Sequence, residues 1–130
     1  MKVAGFHHLA LQVNALGPMV AFYRDVLGMA VGEEHRGPGG GLRSVWMNVP
    51  GGFLALETVE GPRSPPGPFR NGRPGWFLVA LRIDPSERAR VRAELERAGV
   101  AVEHETRWTL YVRDPEGNRV ALSHHPQPAV

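Results

Sequence analysis

From Leu9 onward the chain alternates: Leu9, Leu11 and Val13 fall on one face of an extended segment and His8, Ala10 and Gln12 on the other. A two-residue period of this kind predicts a strand with one buried face. By the same count His7 belongs with Leu9 and Leu11. After Asn14 the spacing changes. Val20, Tyr23, Val26 and Leu27 recur at three and four residues, Pro18 suits a first helical turn and Gly28 can end the helix, so a short amphipathic helix is expected there. Beyond it the pattern predicts a strand near Met29 to Glu33 and a glycine-rich loop from Gly37 to Gly41. Two further strands, Leu42 to Val49 and Phe53 to Thr58, are joined through Pro50-Gly51-Gly52.

From Glu60 to Gly75 proline and glycine dominate, which suits neither a helix nor a central strand and reads as a linker or long surface loop. The first pattern then returns. Trp76 to Ile83 reads as a strand. Asp84-Pro85-Ser86-Glu87 reads as a helix start, and the helix runs through Val91, Leu95 and Ala98 to Gly99. Strands are expected at Val100 to Glu105, Trp108 to Arg113 and Arg119 to His124, the last two joined by a turn over Asp114 to Asn118. Each half is therefore strand, helix, three strands. Leu9-Ala10-Leu11-Gln12-Val13 also aligns with Val79-Ala80-Leu81-Arg82-Ile83. A duplicated βαβββ unit is the simplest account, with residues 1–60 as the first module, 61–75 as the Pro/Gly-rich linker and 76–130 as the second, together one structural domain of the α+β class. The sheet face turned away from each helix is then free to enclose a cavity.

Composition narrows the chemistry. The 130 residues are 42% hydrophobic and 22% charged, near globular averages, and no apolar run reaches bilayer length, so a membrane association is not expected. The N-terminus lacks the zones of a secretory signal, and a cytoplasmic location is expected. With no cysteine, disulfides, thiolate metal sites and cysteine nucleophiles are excluded. The formal net charge is only +2, and the arginines alternate with acidic residues, so nucleic acid is not an expected partner.

The segments His7-His8-Leu9-Ala10-Leu11, Ala21-Phe22-Tyr23-Arg24-Asp25-Val26-Leu27-Gly28-Met29 and Asp114-Pro115-Glu116-Gly117-Asn118-Arg119-Val120 occur in this order and spacing. In this respect the chain resembles the vicinal oxygen chelate superfamily, which includes glyoxalase I, fosfomycin- and bleomycin-resistance proteins, methylmalonyl-CoA epimerase and extradiol dioxygenases. The resemblance implies two βαβββ modules forming a U-shaped mixed sheet around a small-molecule site, helices outside, with modules commonly paired across a homodimer. It also implies metal-ligand positions on the inward strand faces, which correspond to His8, Ala55, Leu78 and Ala121. Only His8 carries a donor. A catalytic divalent ion normally takes about three protein ligands, so no cofactor is expected. The alternative is a divalent-metal lyase, epimerase or dioxygenase with displaced ligands.

Strand parity supplies the remaining candidates. Glu57 shares a face with Ala55 and could serve as general base, as a shifted metal ligand, or as the ion-pair partner of Arg82. Arg82, Ser123 and His125 have inward parity by the same counting, and Arg82 could clamp a carboxylate or phosphate. His8, Gln12, Arg82 and Ser123 are the candidate ligand-binding residues and Glu57 the candidate catalytic one. A set of His8, Glu57 and His125 would suit non-haem iron. His124 and His125, near the chain end, are expected to be exposed. Trp46, Phe53, Trp76, Trp108 and Tyr111 should supply core or pocket walls. Ser123-His124 has no acid at triad spacing, and Gly37 to Gly41 lacks the Lys and Ser/Thr of a phosphate loop. The expected function is a small-molecule binding protein or metal-free enzyme of the glyoxalase and bleomycin-resistance type. An interaction module in a larger assembly is the third possibility.

Overall fold

The computed structural model describes residues 1–64, 67–70, 72 and 74–130. It divides into two compact units, Met1–Arg63 and Ser64–Val130, and each has the βαβββ order read from the pattern.

In the first unit, β1 (His8–Val13), α1 (Leu16–Ala21), β2 (Ala30–Arg36), β3 (Leu42–Val49) and β4 (Gly52–Thr58) build a sheet of order β1-β4-β3-β2. β1 runs parallel to β4 and the other pairs are antiparallel. Alternation decides which face the helix covers: Val13, Val45, Met47, Leu54 and Leu56 are buried with Met19, Phe22 and Tyr23. The helix does not continue regularly to Leu27. After Ala21 it widens into a π-turn over Phe22–Val26, closed by Leu27 N–H donating to the Phe22 carbonyl at 3.1 Å. The wider turn brings the consecutive residues Phe22 and Tyr23 into the core and leaves Val26 and Leu27 only half-buried, although the three-and-four spacing assigns them to the apolar face with Tyr23. Gly28, at φ +76°, ends the segment as expected.

In the second unit, β5 (Val79–Arg82), a 3-10 turn (Pro85–Glu87), α2 (Arg88–Arg97), β6 (His104–Glu105), β7 (Thr109–Arg113) and β8 (Arg119–Ser123) give the order β5-β8-β7-β6, with β5 parallel to β8. Asp84 caps the helix start by accepting from Ser86 N–H at 2.9 Å. Leu95, Leu110, Val112, Val120 and Leu122 are buried.

Two strands are shorter than their sequences predict. β5 pairs with β8 only from Val79 to Arg82, so Trp76 and Phe77 precede the ladder and Trp76 is 95% exposed. Val100 N–H is taken by the Leu95 carbonyl in closing α2, and backbone contact with β7 begins at Glu103, whose N–H donates to the Tyr111 carbonyl at 2.9 Å, ahead of the ladder pairs at His104 and Glu105. Among the described residues, those before Val79 in the first segment and before His104 in the second form no ladder pair, so β propensity alone did not extend the strands. The turn at residues 114–118 forms as expected. The buried Asp114 carboxylate accepts from the N–H groups of Glu116 (3.0 Å) and Asn118 (2.9 Å), and Gly117 takes φ +85°.

Candidate functional site

In both units the candidate residues lie on the sheet face opposite the helix, and register sorts them into rows. Across the first sheet, His8 lies beside Phe53 and Asn48, Ala10 beside Ala55 and Trp46, and Gln12 beside Glu57 and Ser44. His8, Gln12 and Glu57 therefore share one face, as their parity predicts. Across the second sheet, Ala80, Ala121, Tyr111 and His104 form one row, and Arg82, Ser123 and Thr109 the next. Glu57 belongs to the first unit and Arg82 to the second.

Aromatic rings cross the open face of the first sheet. The His8 ring stacks on Phe53 at 4.7 Å, Phe53 on Trp46 at 4.3 Å, and His35 leans on Trp46 at 4.6 Å. Each ring is a cross-strand neighbour of the next, and such stacking adds about 0.5–1.5 kcal/mol per pair beyond area burial. His7 corrects its expected place. The ladder starts only at His8, so strand alternation does not reach His7, and its ring lies edge-on to both His8 and Phe53 with its Nδ1 2.9 Å from that of His8.

The four family positions do not fit a metal. Ala55 and Ala121 are buried methyl groups, Leu78 is a cavity wall, and one ring nitrogen of His8 is engaged by His7. Among the described residues no three His, Asp or Glu side chains gather within reach of one ion; His8 and Glu57 belong to the first unit and His125 to the second.

The second unit holds an open cavity of about 680 Å³ lined by Phe69, Arg70, Phe77, Leu78, His104 and Tyr111, within the roughly 300–1,000 Å³ typical of small-molecule sites. Its outer wall comes from the Pro/Gly-rich stretch, read from sequence as a linker. Arg113 donates to the Gly67 carbonyl and Arg119 to the Pro68 carbonyl at 3.2 Å, fixing this backbone over the sheet. Phe69 then stacks on His104 at 4.8 Å and against Tyr111 at 4.7 Å. Of the residues singled out in sequence, Leu78 and Tyr111 line this cavity. Arg82 is exposed one row away, and Ser123 shares a hydrogen bond of 2.8 Å with Thr109.

Phe69, Arg70, Phe77 and His104 were not among the sequence candidates. The one available signal was an aromatic beside a cation at Phe69-Arg70, set within a run of proline and glycine.

His124 also departs from expectation. It is 2% exposed, because Arg88 from α2 and the Gln127 carbonyl each engage one nitrogen of its ring. His125 is exposed, its ring edge-on to Trp108.

Two βαβββ units, each a four-stranded mixed sheet with its helix on one face, define an α+β fold of the glyoxalase kind. A family model, the Glyoxalase/Bleomycin resistance protein/Dioxygenase superfamily, matches residues 5–122, and the chain belongs to that superfamily. It is 34% identical over 126 residues to the uncharacterized protein PA2024 of Pseudomonas aeruginosa, covering 90% of this chain and 86% of that one. A lactoylglutathione lyase from Agrobacterium tumefaciens superposes with a TM-score of 0.68 at 26% identity, covering 96% of each chain. A mutant of the fosfomycin resistance protein FosX from Listeria monocytogenes, complexed with Mn(II) and a dihydroxypropylphosphonic acid, has the same fold. Its TM-score is 0.74 at 14% identity, over 94% of this chain and 93% of that one.

Proposed function

We propose that the chain binds a small organic molecule on the open face of its second sheet, as a binding protein or metal-free enzyme of the glyoxalase and bleomycin-resistance type. The observation that carries this reading is the cavity walled by Phe69, Phe77, Leu78 and Tyr111 with Arg70 and His104 among its lining. Apolar walls supply affinity, and a few polar groups fix orientation. The donor set supports the metal-free form, since alanine and leucine stand where ligands would be required. Glu57, half-exposed on the open face of the first sheet with Gln12 beside it, is the carboxylate we assign to any proton transfer. Arg82 and Ser123 are the further ligand contacts we assign on the second sheet, His8 and Gln12 those on the open face of the first, and we take a homodimer as the working assembly.

A fragment screen by NMR tests the reading. Ligands should shift the ring resonances of His104 and Tyr111, and Leu78→Trp, which fills the cavity, should abolish those shifts while the protein stays folded by circular dichroism. Binding that leaves both rings unperturbed, or survives Leu78→Trp, places the ligand elsewhere and overturns it.

A further inference from the structure

The cavity is continuous in its lining with a second recess, and the two differ in chemistry. The recess, of about 490 Å³, shares Arg70 and Phe77 with the cavity and adds Arg113 and Arg119. One space is walled mostly by rings and the other carries three guanidinium groups. Among the described residues, neither is lined by a carboxylate.

The three arginines are not equivalent. Arg113 is paired with Glu103 at 2.8 Å and also holds the Gly67 and Gly117 carbonyls. Arg119 spends one nitrogen on the Pro68 carbonyl and lays its guanidinium over the Phe77 ring at 4.6 Å, while its Nε is buried with no acceptor. Arg70 makes no ion pair among the described residues and lines both spaces. Among the described residues, Arg113 alone of these three permanent cations is paired with a carboxylate, Glu103, and the buried Nε–H of Arg119 lacks an acceptor. A guanidinium keeps its charge at any working pH and offers a forked set of donors that matches an oxyanion.

We propose that this site is specific for an aromatic oxyanion, an aryl carboxylate or aryl phosphate. The ring lies in the cavity against Phe69, Leu78 and Tyr111, and the anionic group reaches the recess, where Arg70 is its principal partner. The inference rests on the small-molecule reading above and narrows it to one ligand class. Arg113 and Arg119 act chiefly by holding the 67–69 backbone in place as the cavity wall, so Arg70 is the group whose loss separates charge recognition from folding.

Calorimetric titration of the full chain with naphthoate, naphthyl phosphate, naphthalenemethanol, naphthylmethylamine and inorganic phosphate tests it. At least one aryl anion should bind about tenfold or more tightly than the alcohol and the amine, a difference of about 1.4 kcal/mol. Whichever anion leads identifies the carboxylate or the phosphate form. Arg70→Gln, on an exposed side chain, should remove that preference, weakening the aryl anion about tenfold or more beyond any change in naphthalenemethanol affinity. If the alcohol or the amine binds as tightly as both anions, or Arg70→Gln keeps the preference, the anion assignment is overturned while the small-molecule reading stands. Inorganic phosphate binding as tightly as naphthyl phosphate overturns the aromatic half of the assignment. If no aromatic probe binds or shifts Tyr111, both readings fall together.

Discussion

Arg88 donates from Nη1 to Nε2 of His124 at 3.0 Å, and the opposite ring nitrogen, Nδ1, faces the Gln127 carbonyl. An arginine can only donate and a carbonyl can only accept, so the network assigns His124 as the neutral tautomer carrying its proton on Nδ1. Arg88 also donates to the carbonyls of Thr106 and Arg107 and pairs with Glu105. One side chain therefore ties the start of α2 to the approach to β7 and to the residues that follow β8.

His124→Ala and Arg88→Ala should each destabilise the protein by about 2–3 kcal/mol, since each leaves a buried polar partner unsatisfied. The double variant should cost less than the sum, with a coupling of about 0.5–1.5 kcal/mol in urea denaturation. Additive losses would show that the two side chains act independently.

Glu105 should set part of the acid limb of stability. Its carboxylate accepts from Arg92 and Arg88, and the Arg92 hydrogen bond, followed by the weaker effect of Arg88, holds it below the ordinary glutamate range despite the opposing effect of desolvation. A pKa lowered by folding contributes stability that is present above the unfolded-state value and lost as pH falls through the folded one. Glu105→Gln should therefore flatten the decline of melting temperature in acid and leave the slope near neutrality unchanged. An unaltered acid limb would show that the exposed pair is fully screened.

Gly52 is a matter of space. A Cβ at this position would sit 2.7 Å from the carbonyl oxygen of His7, a backbone atom that cannot rotate away. Gly52→Ala should displace the start of β1, shift the ring resonances of His7 and His8, and cost about 1–3 kcal/mol. A variant with wild-type melting and unshifted histidines would mean that the chain before β1 yields at no cost.

Protein purified without chelator should hold no stoichiometric divalent ion by elemental analysis, and added Mn(II) should not raise its melting temperature. A tightly held ion that is lost on His8→Ala would refute the metal-free form of the proposed function.

Light scattering should give twice the 14.3 kDa chain mass at micromolar concentration. β1 and β2 are both edge strands of the first sheet, and β2 is exposed throughout, so unpaired backbone is available to a second copy. A stable monomer would remove the dimer from the proposal.

Much of this protein was legible in its residues. Leu9, Leu11 and Val13 against His8, Ala10 and Gln12 assign the faces of β1 without any coordinates, because side chains alternate on every strand. Asp84-Pro85 and Asp114 to Asn118 announce a helix start and a turn because capping and turn formation involve residues two to four apart. The repeat gave the architecture. The tertiary structure alone decided where Phe69 and Arg70 sit, because their place depends on Arg113 and Arg119, more than forty residues away, taking up the Gly67 and Pro68 carbonyls. It also decided that His124 is buried, through a partner thirty-six residues distant. Local periodicity is set by backbone geometry that each short segment carries within itself. A cavity wall or a buried histidine depends on which distant donors find which acceptors, and that pairing is settled only when the sheet has formed.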